Sequence, residues 1–118
     1  MTKKRIAEFY RFLSVASMKR MNDDEKIAFI RLLRKMKPVF TELNDAVNDA
    51  IEKAKAEMDD ESHIADFVNE AVADISAQET DIEIKVMTKD TFNRLCLSND
   101  WNFAQIEEIY EVLVKKTE

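Results

Sequence analysis

Glycine is absent from this 118-residue sequence, where average usage of about 7% would place around eight. Glycine is the default residue for positive φ in tight turns and bulges. A chain without it, and with Pro38 as its one proline, is poorly suited to a meander of hairpins and well suited to helices. The same absence excludes the usual Gly-rich phosphate loops. Cysteine occurs once, so no intrachain disulfide can form, and Cys96 in the apolar run Leu95-Cys96-Leu97 reads as a small core residue.

Histidine is also represented once. Zinc and iron sites need several His or Cys ligands, or His with carboxylates at fixed spacing. His63 follows Asp59, Asp60 and Glu61 in a polar turn and reads as a solvated or capping residue. The acidic run lacks the alternating ligands and Gly turn of an EF-hand loop. No metal, cofactor or small-molecule substrate is evident. Nor does any Ser/His/Asp or Cys/His arrangement stand out. Glu107 and Glu111 share a helix face at i, i+4, but catalytic carboxylates need a desolvated cleft that nothing here indicates. An enzyme is not expected.

Long apolar runs are missing too; no stretch approaches the ~20 residues of a membrane span. The start, MTKKRIAEFYRFLSVAS, passes from basic to apolar in the manner of a signal peptide, but Glu8 and Arg11 interrupt the apolar run. A cytoplasmic location is the expectation.

What the chain does have is 46% hydrophobic and 36% charged residues, the balance of a soluble globular domain. Its net charge of −6 is unevenly spread. Residues 1–37 hold 11 Lys/Arg against 4 Asp/Glu, a balance of +7, and residues 38–118 hold 7 against 20, a balance of −13. Either the basic third complements the acidic remainder internally, or it offers a basic face to a polyanion. Arg31, Arg34 and Lys35 share one side of a helix and are the residues best placed for phosphate contact.

The periodicity predicts an all-α fold. A first helix over 3–20 is expected from Ile6, Phe9, Leu13 and Ala16, with Phe12 and Val15 widening its apolar face. Asn22 is a good N-cap, followed by the acidic first turn Asp23, Asp24, Glu25. From there a near-heptad seam runs Phe29, Leu33, Met36, Phe40, Leu43, Val47, Ile51, Ala54, Met58. Pro38 interrupts it, so this long helix over 23–58 either breaks there or runs on with a kink. A third helix carries Ile64, Phe67, Val68, Ala71, Val72 and Ile75. A short helix over 89–97 is capped by Thr88 and buries Phe92, Leu95 and Cys96. The last, over 103–116, has the strongest start signal: Asn102 as N-cap with Gln105 three residues on to complete a capping box, and Trp101 just before the cap with Ile106 four after it, the spacing of a hydrophobic staple. Its apolar face is read as Phe103, Ile106, Tyr110, Leu113 and Val114.

Residues 81–87, DIEIKVM, are the exception. Ile82, Ile84 and Val86 alternate with Glu83 and Lys85, the period of a half-buried strand. A lone strand needs partners for its backbone groups. Three readings compete: an extended connector laid across helices, a ribbon paired with the same segment of a second copy, or a continuation of the third helix. The expected organisation is one helical domain, with an N-terminal body over 1–77, a connector over 78–88 and a C-terminal helix pair over 89–118.

These features favour a non-catalytic protein–protein interaction or assembly module, self-associating or binding another protein. The candidate contacts are Ile82, Ile84 and Val86 with the seam residues Phe40, Leu43 and Val47; Trp101 and Phe103 are secondary candidates. The alternative is a nucleic-acid-binding accessory or regulatory protein using the basic third. The C-terminal pair resembles a helix-turn-helix in length, but Glu107, Glu108 and Glu111 would repel phosphates where a recognition helix enters the groove.

Overall fold

A computed structural model describes residues 1–57 and 61–115, Glu61 by its backbone alone. The described residues are all-α: α1 (Lys3–Leu13), α2 (Asp23–Glu57), α3 (Ile64–Ala77), α4 (Lys89–Leu97) and α5 (Phe103–Leu113), with a single 3-10 turn at Glu61–His63 before α3. Met58, Asp59, Asp60 and Lys116, on which parts of the sequence reading fell, lie outside the described residues. The chain forms two compact units, Met1–Arg11 with Met36–Asp81 and Phe12–Lys35 with Ile82–Glu118. This grouping differs from the linear division at 78–88, because the basic stretch from 12 to 35 belongs with the C-terminal helices.

In the first unit, α1 is joined to the end of α3. Lys3 N–H donates to the Gln78 carbonyl at 2.8 Å, Thr80 N–H donates to the Met1 carbonyl at 3.0 Å, and Thr2 and Glu79 form an isolated antiparallel bridge. The Lys3 ammonium adds bonds to Glu42 Oε1 at 3.0 Å and Gln78 Oε1 at 2.8 Å. Ile6 and Phe9 are buried as their spacing predicts. Ala50 of α2 packs with Val68 and Val72 of α3, and Ala46, Val47, Ile51, Ile64 and Ile75 close around them.

α2 is continuous through Pro38. Its deepest stripe runs Phe29, Leu32, Met36, Val39, Leu43, Ala50, Ala54. The seam read from the sequence straddled this line: Leu33, Phe40, Val47 and Ile51 are half-buried flanks, while Leu32, Val39 and Ala50 were missed. A helix with apolar residues on more than one row offers two neighbouring stripes of similar period. Only the packing partners choose between them. Likewise Ala71, expected on the α3 stripe, is exposed.

The first helix is shorter than expected and ends at Leu13. Ser14, Val15 and Ser17 are weak helix formers. In the second unit their backbone is captured elsewhere: Ser17 N–H donates to Asn99 Oδ1 at 2.8 Å, Asn99 Nδ2 returns a bond to the Ser17 carbonyl at 2.9 Å, and Arg20 N–H donates to Ser98 Oγ at 2.8 Å. Val15, expected to widen the apolar face, is consequently exposed.

The starts of α2, α4 and α5 follow the sequence signals. Asn22 and Glu25 form a reciprocal capping box, each N–H donating to the other's side chain at 2.9 Å. Thr88 Oγ1 accepts from Thr91 N–H at 3.2 Å. Asn102 and Gln105 complete the expected capping box at α5. The Trp101 ring lies 5.2 Å from that of Phe12. α5 stops at Leu113, where Val114 turns extended and bridges Met87 in parallel. Its buried side is Ile109, Val112 and Leu113. Phe103, assigned to that side from the sequence, is instead 79% exposed.

Residues 81–86 are neither helix nor strand. The helical continuation is overturned: α3 ends at Ala77, and Gln78 is extended at φ −62°, ψ 135°. Within the chain the segment is a connector between α3 and α4.

Candidate functional site

The sequence-predicted contact residues fall into different units. Phe40, Leu43 and Val47 lie together in the first, where they line a groove of about 700 Å³. From α1 the groove takes Lys4, Ala7, Glu8 and Arg11, whose spacing puts them on one flank beside the Ile6–Phe9 stripe. From α3 it takes Asn69, Val72, Ala73 and Ser76. Leu43 and Val72 are buried, so the base is apolar, whereas Lys4, Glu8, Arg11, Asn69 and Ala73 are exposed. Phe40 is fixed from two sides. Its ring centroid is 4.9 Å from that of Tyr10, and the Arg11 guanidinium sits 5.7 Å from it, within cation–π range. The groove therefore combines an apolar base, one immobilised aromatic and a flank carrying two cations and one carboxylate.

Ile82, Ile84 and Val86 are in the second unit. Ile84 is 5% exposed and Ile82 and Val86 are half-buried, so these side chains are largely occupied within the chain. Lys85 N–H donates to its neighbour Glu83 Oε1 at 3.0 Å, and Met87 N–H donates to the Leu113 carbonyl at 2.9 Å. Arg31, Arg34 and Lys35 are all exposed on α2, with Lys35 Nζ 3.5 Å from the Glu83 carbonyl. Ile27 and Ile30 are exposed on the same helix.

One polar cluster escaped sequence reading. Glu25, the capping residue of α2, is 8% exposed. Its carboxylate accepts from Arg94 Nε at 2.7 and 2.9 Å, from Thr91 Oγ1 at 2.6 Å and from Asn22 N–H at 2.9 Å. The Arg94 hydrogen bonds, reinforced by those from Thr91 and Asn22, outweigh desolvation and hold its pKa down to about 2. The same contact raises the pKa of Arg94. No buried side-chain nitrogen or oxygen among the described residues lacks a partner, and the cluster fastens α4 to the start of α2. The sequence signals at Glu25 are local, an acidic first turn and the Asn22–Glu25 capping-box spacing, and neither says that it has a partner 69 residues away.

Elsewhere, burial pushes the half-buried Cys96 thiol up. His63 is exposed at the N-cap of α3 and makes no side-chain capping bond. Among the described residues, no group of three His, Cys, Asp or Glu could hold a metal ion. No helix among them is long and apolar enough to cross a membrane. Comparison with family models, curated proteins and solved structures yields no match to this chain.

Proposed function

We propose that this protein is a non-catalytic interaction module that self-associates through the α1–α2–α3 groove. The observation that carries this reading is the convergence of Phe40, Leu43 and Val47 on one apolar-based groove with a charged flank. Such a surface suits an amphipathic helix laid along it, with an apolar row against the base and polar residues at the rim. The chemistry of the lining fits docking: its titratable groups are Lys4, Glu8 and Arg11, with no histidine or cysteine among the lining residues. The reading also takes the first unit as a small helical bundle whose long helix bends at Pro38, since an internal proline loses one hydrogen bond and crowds the preceding turn.

Light scattering after size exclusion tests it. The wild-type mass should rise above the 13.8 kDa of one chain as concentration increases through tens to hundreds of micromolar. Ala73→Glu places a bulky carboxylate in the groove from an exposed, helix-compatible position and should suppress that rise while leaving the melting temperature nearly unchanged. Association of Ala73→Glu at wild-type strength would exclude the groove.

A second reading, polyanion binding, has one observation in its favour, the joint exposure of Arg31, Arg34 and Lys35. Its test is a salt titration with duplex DNA and RNA. Binding at low salt that weakens in the triple Ala variant supports it; no binding at low salt removes it.

A further inference from the structure

We infer that the occupant of the groove is the outward face of α5 from a second copy of this chain, with Phe103 as its anchor. This rests on the groove being a docking surface and names what docks. Phe103 is the first residue of α5, fixed there by the Asn102–Gln105 capping box, and is 79% exposed. Ile109, Val112 and Leu113 fill the buried side of the helix. Phe103 lies on the other side with Glu107 and Glu111 at i, i+4 and i+8, both exposed. The fold makes little use of this ring, yet holds it outward on a rigid helix start. Aromatic residues, Phe among them, are enriched at protein interfaces.

Charge selects the pairing. The α5 face presents two carboxylates beside its aromatic. The groove presents Lys4 and Arg11 on α1, against the single carboxylate of Glu8, and the uncharged Asn69, Ala73 and Ser76 on α3. An acidic, Phe-bearing helix face therefore matches the groove in polarity and charge, and complementary potentials fix orientation as well as encounter. A groove of about 700 Å³ is within the range of cavities that enclose a ligand of drug size, ample for one phenyl ring and the adjoining turn. The contact joins two different patches and is heterologous.

Heterologous pairing makes a sharp demand. Two variants, each spoiled on one patch, must repair each other when mixed, because one still has its groove and the other its Phe103 face. The experiment uses the full chain as wild type, Ala73→Glu, Phe103→Asp and an equimolar mixture of the two variants, each read by light scattering over a concentration series. Circular dichroism melting confirms that both variants fold; both positions are exposed. The expected result is that each variant alone needs at least tenfold more protein to reach the wild-type mass. The mixture should recover a species of two chain masses. Rising NaCl should weaken the wild-type complex.

Phe103→Asp associating like wild type while Ala73→Glu does not would overturn the Phe103 assignment and leave the groove standing. Two monomeric variants whose mixture stays monomeric would also overturn the assignment, since the contact would not be groove to Phe103. Ala73→Glu associating normally, or a wild-type mass fixed at one chain throughout, would overturn both readings.

Discussion

Replacing Glu25 by Gln should remove a pH-dependent part of the stability. The carboxylate is held from an ordinary value of 4.5 down to about 2 in the folded protein. At about 1.4 kcal/mol per pKa unit, that difference sets a ceiling of about 3 kcal/mol. Its main partner, Arg94, is 42% exposed, so solvent screens part of the attraction and about 2 kcal/mol is expected. For a chain of this size that is about 8 °C in Tm. A folded pKa below the unfolded one means the contribution is fully present above about pH 5 and is lost as pH falls from there toward 2. Urea unfolding of wild type and Glu25→Gln at steps from pH 7 to pH 2.5 measures it. The gap between the two should be about 2 kcal/mol at neutrality and close steadily in acid. A gap that stays constant across the series would show that the substitution acts through packing or helix capping and that the ion-pair account is wrong.

Four further outcomes are expected. Ile84→Lys puts a charge at a position 5% exposed and should destabilise the fold by about 2–4 kcal/mol; an unchanged urea midpoint would show that the connector is dispensable. Pro38→Ala supplies the missing amide of an exposed position inside α2 and should raise stability by about 1–3 kcal/mol, read from the thermal midpoint; a lower midpoint would show that the proline itself stabilises the fold. Asn102→Ala removes the side-chain acceptor for Gln105 N–H and should cost about 1 kcal/mol in urea. Cys96, with its thiol raised by burial, should react with iodoacetamide at pH 7 several-fold more slowly than a free thiol, whereas a rate at or above the free-thiol value would contradict its burial.

Much of the fold could be read because its signals are local. Caps at Thr88 and Asn102 depend on residues three apart, and helical class follows from a period of 3.6 with no glycine to break it. Part of the candidate site was legible for the same reason: Phe40, Leu43 and Val47 are spaced 3 and 4 apart and converge on one groove. Its α1 flank was not, because Lys4, Glu8 and Arg11 look like ordinary solvated charges until α3 is placed beside them. The Glu25–Arg94 pair was equally hidden, since no local rule joins residues 69 apart.

By itself, then, the order of residues determined that the chain is helical and where most helices begin. Only the tertiary structure decided that α1 ends at Leu13, that Leu32 and Val39 are buried deeper than Leu33 and Phe40, and that Phe103 points outward while Ile109 and Val112 are buried. The physical reason is common to all three. Backbone hydrogen bonding and capping are satisfied within a few residues, so sequence encodes them directly. Burial is a property of what lies opposite, and a helix with apolar groups on several rows is indifferent until a partner covers one of them.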